Sequence, residues 1–518
     1  MADDYPPPPT PRYRSVHDRL QENARLRGDR PACVAIDQGS RITWAEMARA
    51  CNQIAHFLAA RGLKANDRVV VLTENSLENL ILYYGVQNYG ASYCTINVEI
   101  NAAHLREMLE RLKPTLVLWH DELDRAAIGV GSPGEWVSFG AWRPDGGEGL
   151  FAETARLPAT PVPPVNGEED ICTVCFTSGT TATPKGVMHS YGNLDVIGQQ
   201  TVYLWGLTEG DRVLEYRSLS WSSSHQVVLH PTLISGDTLL LARRFSQSKF
   251  FEWIKEWKPT VVVGVPTVVN MLLARPVGVK SDELASLRFM SCSTAPLLGD
   301  QHRKFEDTYG IKLIQHYGMS EGGTVAGNHW AARRIGTVGR PGLLQNLKIV
   351  DESGAELPAG TEGEIEIGGP QQAYGYLMED GSIERVRGKR LKTGDLGVLD
   401  PDGFLRVTGR AKDLVIRGGV NIAPLEIDNV LMQHPDVFEA ASVGVPDKIY
   451  GEELAAYVVP KPGKDLNLES VRAHCAAALP EFKLPKEIIL TDAVPKNDRG
   501  KVDRNKLRDV WRRSHPEA

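Results

Sequence analysis

Residues 177 to 186 read TSGTTATPKG, setting small hydroxylated side chains and a glycine ahead of a lysine. Thr177, Ser178, Thr180 and Thr181 offer hydroxyl donors, Gly179 lets backbone N–H groups approach an anion, and Lys185 supplies a point charge. That composition suits phosphate oxygens, although a solvated Ser/Thr/Gly connector explains it equally. It is not the P-loop pattern: counted from Gly179, Pro184 stands where the second glycine belongs and Gly186 follows the lysine. The stretch follows DICTVCF, an apolar strand-like run. A loop at the carboxyl end of a strand in an α/β sheet is where ligands bind.

Four further clusters could carry chemistry. In HYGMSEGG, Tyr317 can stack on a base, Ser320 can bond a phosphate oxygen and Glu321 can hold Mg²⁺, while a Ser-Glu helix cap accounts for the same residues. KTGDLG places Asp395 in a turn after Gly394, either accepting two ribose hydroxyls or closing an Asx turn. GRAKDLVIRGGVNIAPLEI carries Arg410, Lys412, Asp413 and the pair Gly418 and Gly419, for which a hairpin and a surface charge cluster are sufficient. PKNDRGKVDR sets Lys501 after Gly500 in an exposed turn, where a lysine can simply be solvated. Cys172 and Cys175 form a CxxC, but no second Cys or His pair lies at zinc spacing, and the apolar context reads as strand core.

The elements that must position these residues alternate in period. DRVVVLTEN, LENLILYYGVQNYG and PTLVLWHD read as strand, helix, strand, and DTLLLARR, FFEWIKEWK and PTVVVGVPTVVNMLLARP repeat the pattern. Parallel sheets covered by helices are expected, with the Pro-rich LPATPVPPVNGEED connecting the two series. After about residue 340 short strands and turns predict antiparallel sheet, as in GEIEIGG and LGVLDPDGFLRVTGR. The last hundred or so residues mix helices and strands and read as a small α+β domain.

With 518 residues, 42% apolar and 24% charged, the chain can bury large cores in two or more domains. A formal charge of −7 argues against nucleic-acid binding, which needs clustered positive charge. The opening MADDYPPPPTP has no charged segment followed by an apolar one and reads as a disordered lead-in, not a signal peptide. No apolar run reaches the roughly 18 residues that a membrane span needs. Seven scattered cysteines fit reduced thiols, so a cytoplasmic protein is expected.

In their order and separations, TSGTTATPKG, YGMSE, TGD, GRAKD with GGVNIAPLEI, and PKNDRGKVDR together resemble the adenylate-forming superfamily of acyl-CoA synthetases, carrier-loading adenylation domains and luciferases. The resemblance covers nearly the whole chain. It implies an α/β fold: a large N-terminal portion of two doubly wound α/β subdomains plus a distorted β-barrel, and a small mobile α+β C-terminal domain. The expected division is 1–411 for the AMP-binding domain and 412–518 for the lid, hinged at Lys412. It implies ATP, Mg²⁺ and coenzyme A as cofactor and co-substrates, and a carboxylic acid that is adenylated and then passed to a thiol.

By resemblance, Thr177, Ser178, Gly179, Thr180, Thr181 and Lys185 hold the β- and γ-phosphates, and Glu321 helps bind Mg²⁺. Tyr317, with Ser293, Thr294 and Ala295 of CSTAP, lines adenine, flanked by Gly318, Met319 and Ser320; Asp395 and Arg410 hold ribose. Lys501 is the expected catalytic residue, reaching carboxylate and α-phosphate oxygens in the adenylating pose only. Gly418 and Gly419 lie beside the pantetheine channel, where absent side chains let a thiol arm pass. Trp221, Val265, Cys292, His316 and Met319 are expected around the acyl group, an apolar wall suited to a small or medium apolar or aromatic monoacid. An acid–CoA ligase is the leading reading, with a stand-alone enzyme loading a carrier protein as the rival and a luciferase-like oxygenase behind both. A lysine acyltransferase acting on Lys501 would delete the charge that adenylation needs.

The sequence departs from the family at three places. The usual glycine in the phosphate loop is Ala182, the aromatic-His pair of the acyl site is Ser220-Trp221, and the tryptophan before TGD is Arg390.

Overall fold

The computed structural model describes residues 7–100, 102–124, 128–129, 133–176, 185–295, 297, 299–497 and 500–515. Two nine-stranded sheets form the body of the molecule. The first runs, edge to edge, Arg340–Pro341, Gly323–Gly327, Leu313–Met319, Phe289–Cys292, Val261–Gly264, Arg212–Glu215, Thr238–Leu241, Pro31–Ala35 and Ser40–Thr43. The second has Arg68–Leu72 at its heart, with Ser92–Thr95 and Leu116–His120 parallel on either side. Beyond Ser92–Thr95 come Ile171–Phe176, Gly186–Ser190 and Gly375–Leu377.

The predicted βαβ series are present, but their strands are shared out differently from the expected division at the Pro-rich connector. Pro31–Ala35 pairs in parallel with Thr238–Leu241, so the N-terminal strand joins the later sheet. Ile171–Phe176, after the connector, joins the earlier one through Ser92–Thr95. Pairing partners far apart in the chain are set by which apolar faces meet, and no local pattern encodes that choice.

Strand periodicity explains the layering. Val69 and Val71 of Arg68–Leu72 face one core and Val70 and Leu72 the other, as a period of two requires. Between the sheets lie helices Trp44–Ala60, Leu77–Tyr89 and Tyr191–Trp205. Every residue of Leu77–Tyr89 is buried, Glu78, Asn79, Gln87 and Asn88 included. Helices Phe250–Trp257, Pro266–Ala274 and Gly299–Tyr309 cover the outer face of the first sheet, and Ala102–Leu112 that of the second. Both buried cysteines of the CxxC sit in Ile171–Phe176, as strand core.

From Lys348 onward the chain forms a four-stranded antiparallel sheet, Lys348–Val350, Glu362–Ile367, Leu391–Leu399 and Leu405–Arg410. This is the antiparallel unit that the short strands and turns after residue 340 predict. The final part is a five-stranded sheet built on the long hairpin Val437–Asp447 and Gly451–Pro460. Helices Pro424–Gln433 and Leu468–Ala478 cover one face, and Arg504–Ser514 covers the other through Leu507 and Trp511.

Residues 7–10 of the lead-in are exposed and outside any helix or strand, and the chain docks only beyond it. Tyr13 packs against the main core, and the backbone N–H groups of Arg12 and Arg14 donate to Gln199 and Asp195. Proline supplies no N–H but leaves neighbouring donors free to dock.

Candidate active site

The carboxyl ends of the first sheet's parallel strands converge on one rim. Val265 follows Val261–Gly264, Ser293, Thr294 and Ala295 follow Phe289–Cys292, and Leu313–Met319 carries His316, Tyr317, Gly318 and Met319. Thr294 is left-handed, at φ 76°, where a β-branched residue is strained. The strand Leu313–Met319 turns through Ser320, Glu321 and Gly322 into Gly323–Gly327. This is a β-hairpin, not the helix cap that Ser-Glu also allowed. Gly318 is required there, because a Cβ would stand 2.6 Å from the carbonyl oxygen of Gly323.

Asp395 links three strands. One carboxylate oxygen accepts from the Tyr317 hydroxyl at 2.6 Å, and the other meets Arg410 Nε at 2.9 Å. Asp395 and Arg410 are cross-strand partners. The sequence placed Asp395 in a turn, but it lies inside Leu391–Leu399. Gly394, at φ 73°, supplies the kink within an irregular register instead of ending the strand. Lys412 is close enough for Asp395 to act on its ammonium, and partial burial lowers its pKa first of all.

The phosphate-loop residues Thr177, Ser178, Gly179, Thr180, Thr181 and Ala182 lie outside the described residues. Lys185, which follows, has Nζ 4.8 Å from the centre of the Tyr376 ring. The Tyr376 hydroxyl donates to Glu321 Oε1 at 3.1 Å. Sequence reasoning missed Tyr376, which sits in a three-residue strand with no motif spacing to mark it. Among the described residues no three His, Cys, Asp or Glu side chains gather as metal ligands. A lone carboxylate still fits Mg²⁺, which takes one or two carboxylates and completes its shell with phosphates and water.

Of the residues expected around the acyl group, Trp221 stands at the N-cap of the short helix Ser222–Ser224 and is half-buried, as is Val265 at that of Pro266–Ala274. Cys292 is buried, which pushes its thiol pKa up. His316 Nε2 accepts from Trp205 Nε1 at 2.8 Å, and burial lowers its pKa to about 3, so it is neutral at ordinary pH. Nearby in sequence, Arg217 is buried against Glu215, with Nη2 to Oε2 at 2.6 Å. A π-helix, His225–Leu229, follows Trp221, and His225 Nδ1 lies 3.5 Å from Cys175 Sγ. Arg390 pairs with Glu366 on the neighbouring strand.

The C-terminal part presents one turn to this rim. Gly500, at φ 73°, abuts Thr267: a Cβ on Gly500 would lie 3.1 Å from Thr267 Oγ1. The turn is held by Asn497, whose N–H donates to the Lys501 carbonyl at 2.8 Å and whose Oδ1 accepts from Lys501 N–H at 3.1 Å. Gly418 and Gly419 form the exposed hairpin turn between Val415–Arg417 and Val420–Ile422, both at positive φ.

Two sheets with a polar rim at their strand ends, and a small terminal unit that delivers a lysine-bearing turn to it, define an adenylate-forming enzyme. The chain belongs to the AMP-binding enzyme family: residues 20–377 match that family and residues 426–501 match its C-terminal domain. It is 33% identical to the sulfoacetate–CoA ligase of Cupriavidus necator over 92% of this chain and 94% of that protein. It is 31% identical to a feruloyl-CoA synthase of an Amycolatopsis species, over 91% and 94%. The structure of ATP-bound MatB from Rhodopseudomonas palustris superposes with a TM-score of 0.87 at 29% identity, covering 96% of this chain and 99% of that one. An anthranilate CoA ligase, AuaEII, in complex with anthranoyl-AMP gives 0.86 at 26% identity, with both chains fully covered. The protein is an ATP-dependent acid–CoA ligase that forms an acyl-adenylate and then a thioester, using ATP, Mg²⁺ and CoA.

Proposed function

We propose that the acid is a small or medium apolar or aromatic monocarboxylate. The observation that carries this reading is the neutral His316, which accepts from Trp205 in the core between the sheets, while Val265 and Cys292 belong to the core on the outer face and Met319 to that of the antiparallel sheet, so that none of them brings a charge. The buried cation closest in sequence to Trp221, Arg217, is already neutralised by Glu215. A second carboxylate or a sulfonate in such a wall would be desolvated without a partner, which is costly. A panel of acids assayed by pyrophosphate release tests it. Preference for a dicarboxylate or sulfonate over the matched monoacid overturns it.

The chemistry assigns the remaining groups. A carboxylate is a poor electrophile and repels a polyanionic nucleotide, so charge must be neutralised in place. The 177–184 loop and Lys185 grip the β- and γ-phosphates, and Glu321 binds Mg²⁺. Ser293, Thr294, Ala295 and Tyr317, with Gly318, Met319 and Ser320, line adenine, while Asp395 and Arg410 hold ribose. Lys501 bonds the reacting carboxylate and an α-phosphate oxygen as the acid oxygen attacks phosphorus and the bond to pyrophosphate breaks. A CoA thiolate then attacks the acyl carbonyl, and AMP leaves with the electron pair of the cleaved C–O bond.

The chain divides into 1–411 and 412–518, with Lys412 as hinge. The contact of the Gly500–Lys501 turn with Thr267 supports an adenylating pose here. Rotation of the lid brings Gly418 and Gly419 to the thiol channel for the second step. The protein works in the cytoplasm, a reading supported by seven buried cysteines. A lysine acyltransferase acting on Lys501 silences adenylation alone; equal loss of both half-reactions on acetylation refutes that control.

A further inference from the structure

The candidate phosphate end of the site is built from two segments that share no local sequence, Lys185 and Glu321, and one side chain touches both. The Tyr376 ring lies beneath the Lys185 ammonium at 4.8 Å, within cation–π range. Its hydroxyl donates to Glu321 at 3.1 Å. The geometry points to Tyr376 as a positioning residue that holds the phosphate-gripping lysine and the metal-binding carboxylate in register for the triphosphate of ATP.

The backbone around Tyr376 makes the same connection. Tyr376 is the strand partner of Val187, and Leu377 that of Gly186, so the segment pairs with the strand leaving the phosphate loop. Ala373 N–H donates to the Glu321 carbonyl at 2.7 Å, and Tyr374 N–H to that of Met188 at 2.9 Å. Gly375 is dictated by the next strand, since a Cβ there would lie 2.3 Å from the Glu384 carbonyl oxygen. Residues 373 to 377 therefore clasp the start of Gly186–Ser190 to the hairpin turn at Glu321.

The ring also packs with Val187, Ala373 and Val386. A filler of that small cluster would matter for stability alone, so the test must read something stability does not move. This inference rests on the roles proposed above for Lys185 and Glu321.

Two variants separate the contacts: Tyr376→Phe deletes the hydroxyl and keeps the ring, and Tyr376→Leu deletes both. Calorimetric binding of a non-hydrolysable ATP analogue, titrated with Mg²⁺, reads the site without turnover. Tyr376→Phe is expected to raise the Mg²⁺ concentration for half-saturation about tenfold, as for loss of a hydrogen bond to a charged group. Its metal-free nucleotide affinity should stay at the wild-type value. Tyr376→Leu should also weaken metal-free binding, by about threefold for a lost cation–π contact. Thioester formation from supplied acyl-adenylate should be unchanged in both. A wild-type Mg²⁺ half-saturation in Tyr376→Phe, or equal losses in both half-reactions, overturns the clasp. Wild-type protein that binds the analogue but releases no pyrophosphate with any acid refutes the proposed acid class and leaves the clasp to the Mg²⁺ titration. Failure of wild-type protein to bind the analogue refutes both.

Discussion

The proposed nucleotide end and the proposed acyl end of the rim pose opposite electrostatic problems. At the nucleotide end, charges are present and cross-braced: Asp395 between Tyr317 and Arg410, and Glu321 joined to Lys185 through Tyr376. At the acyl end, polar groups are buried in their neutral form. His316 is held neutral by burial, and the cation–carboxylate pair Arg217–Glu215 is closed on itself. The contrast teaches that one sheet edge can be made receptive to a polyanion and, a strand or two away, indifferent to charge. Burial and pairing decide this, not the count of charged residues.

The largest expected break in that contrast comes from Lys501→Ala. Removing a donor aimed at charge that develops in the transition state should cost adenylation about 10²–10³ in rate. Thioester formation from supplied acyl-adenylate should persist, and parallel loss in the two half-reactions would sink the assignment. Next is Asp395→Ala, which removes the brace between Tyr317 and Arg410. We expect kcat/KM for ATP to fall about 10- to 100-fold, for lost hydrogen bonds to a charged group, with KM for the acid unchanged. A larger effect on the acid than on ATP contradicts the division of the rim.

The neutral end can be tested by pH. His189, His225 and His316 are buried, which lowers their pKa values to about 4, about 3 and about 3 from the ordinary 6.5. Below pH 6.5 the unfolded chain takes up protons that the folded one refuses, so stability is full above that pH and is lost as pH falls toward 3 to 4. Each such histidine contributes a slope of about 1.4 kcal/mol per pH unit. Denaturant titrations between pH 4 and 7 should show the slope, and His316→Gln should reduce it by one proton's worth. An unchanged slope in that variant refutes a neutral His316. The smallest effect expected is from Ala182→Gly, a modest gain in turnover, because the family's usual glycine opens more backbone conformations at that position. Single-turnover measurements that show faster chemistry but no faster release locate the effect elsewhere.

The candidate segments and the period of the elements that carry them can be read from residue types alone. Hydroxyl, glycine and lysine at 177–186, the acid of YGMSE and the lysine after Gly500 stand out because the phosphate and metal binding proposed for them would constrain residue type at short range. The helices and strands were legible because burial on one or both faces imposes a period of 3.6 or 2. Tertiary structure alone decided which strands share a sheet, sending Pro31–Ala35 to partners some two hundred residues later in the chain. It also placed Asp395 within a kinked strand instead of a turn. Tyr376 is the clearest case: its neighbours in sequence are ordinary, and its position between Lys185 and Glu321 exists only because its strand pairs with Gly186–Ser190 and the Glu321 turn is hydrogen-bonded to Ala373. Local composition fixes what a side chain can do; long-range pairing, chosen by the burial of whole faces, fixes what it does it to.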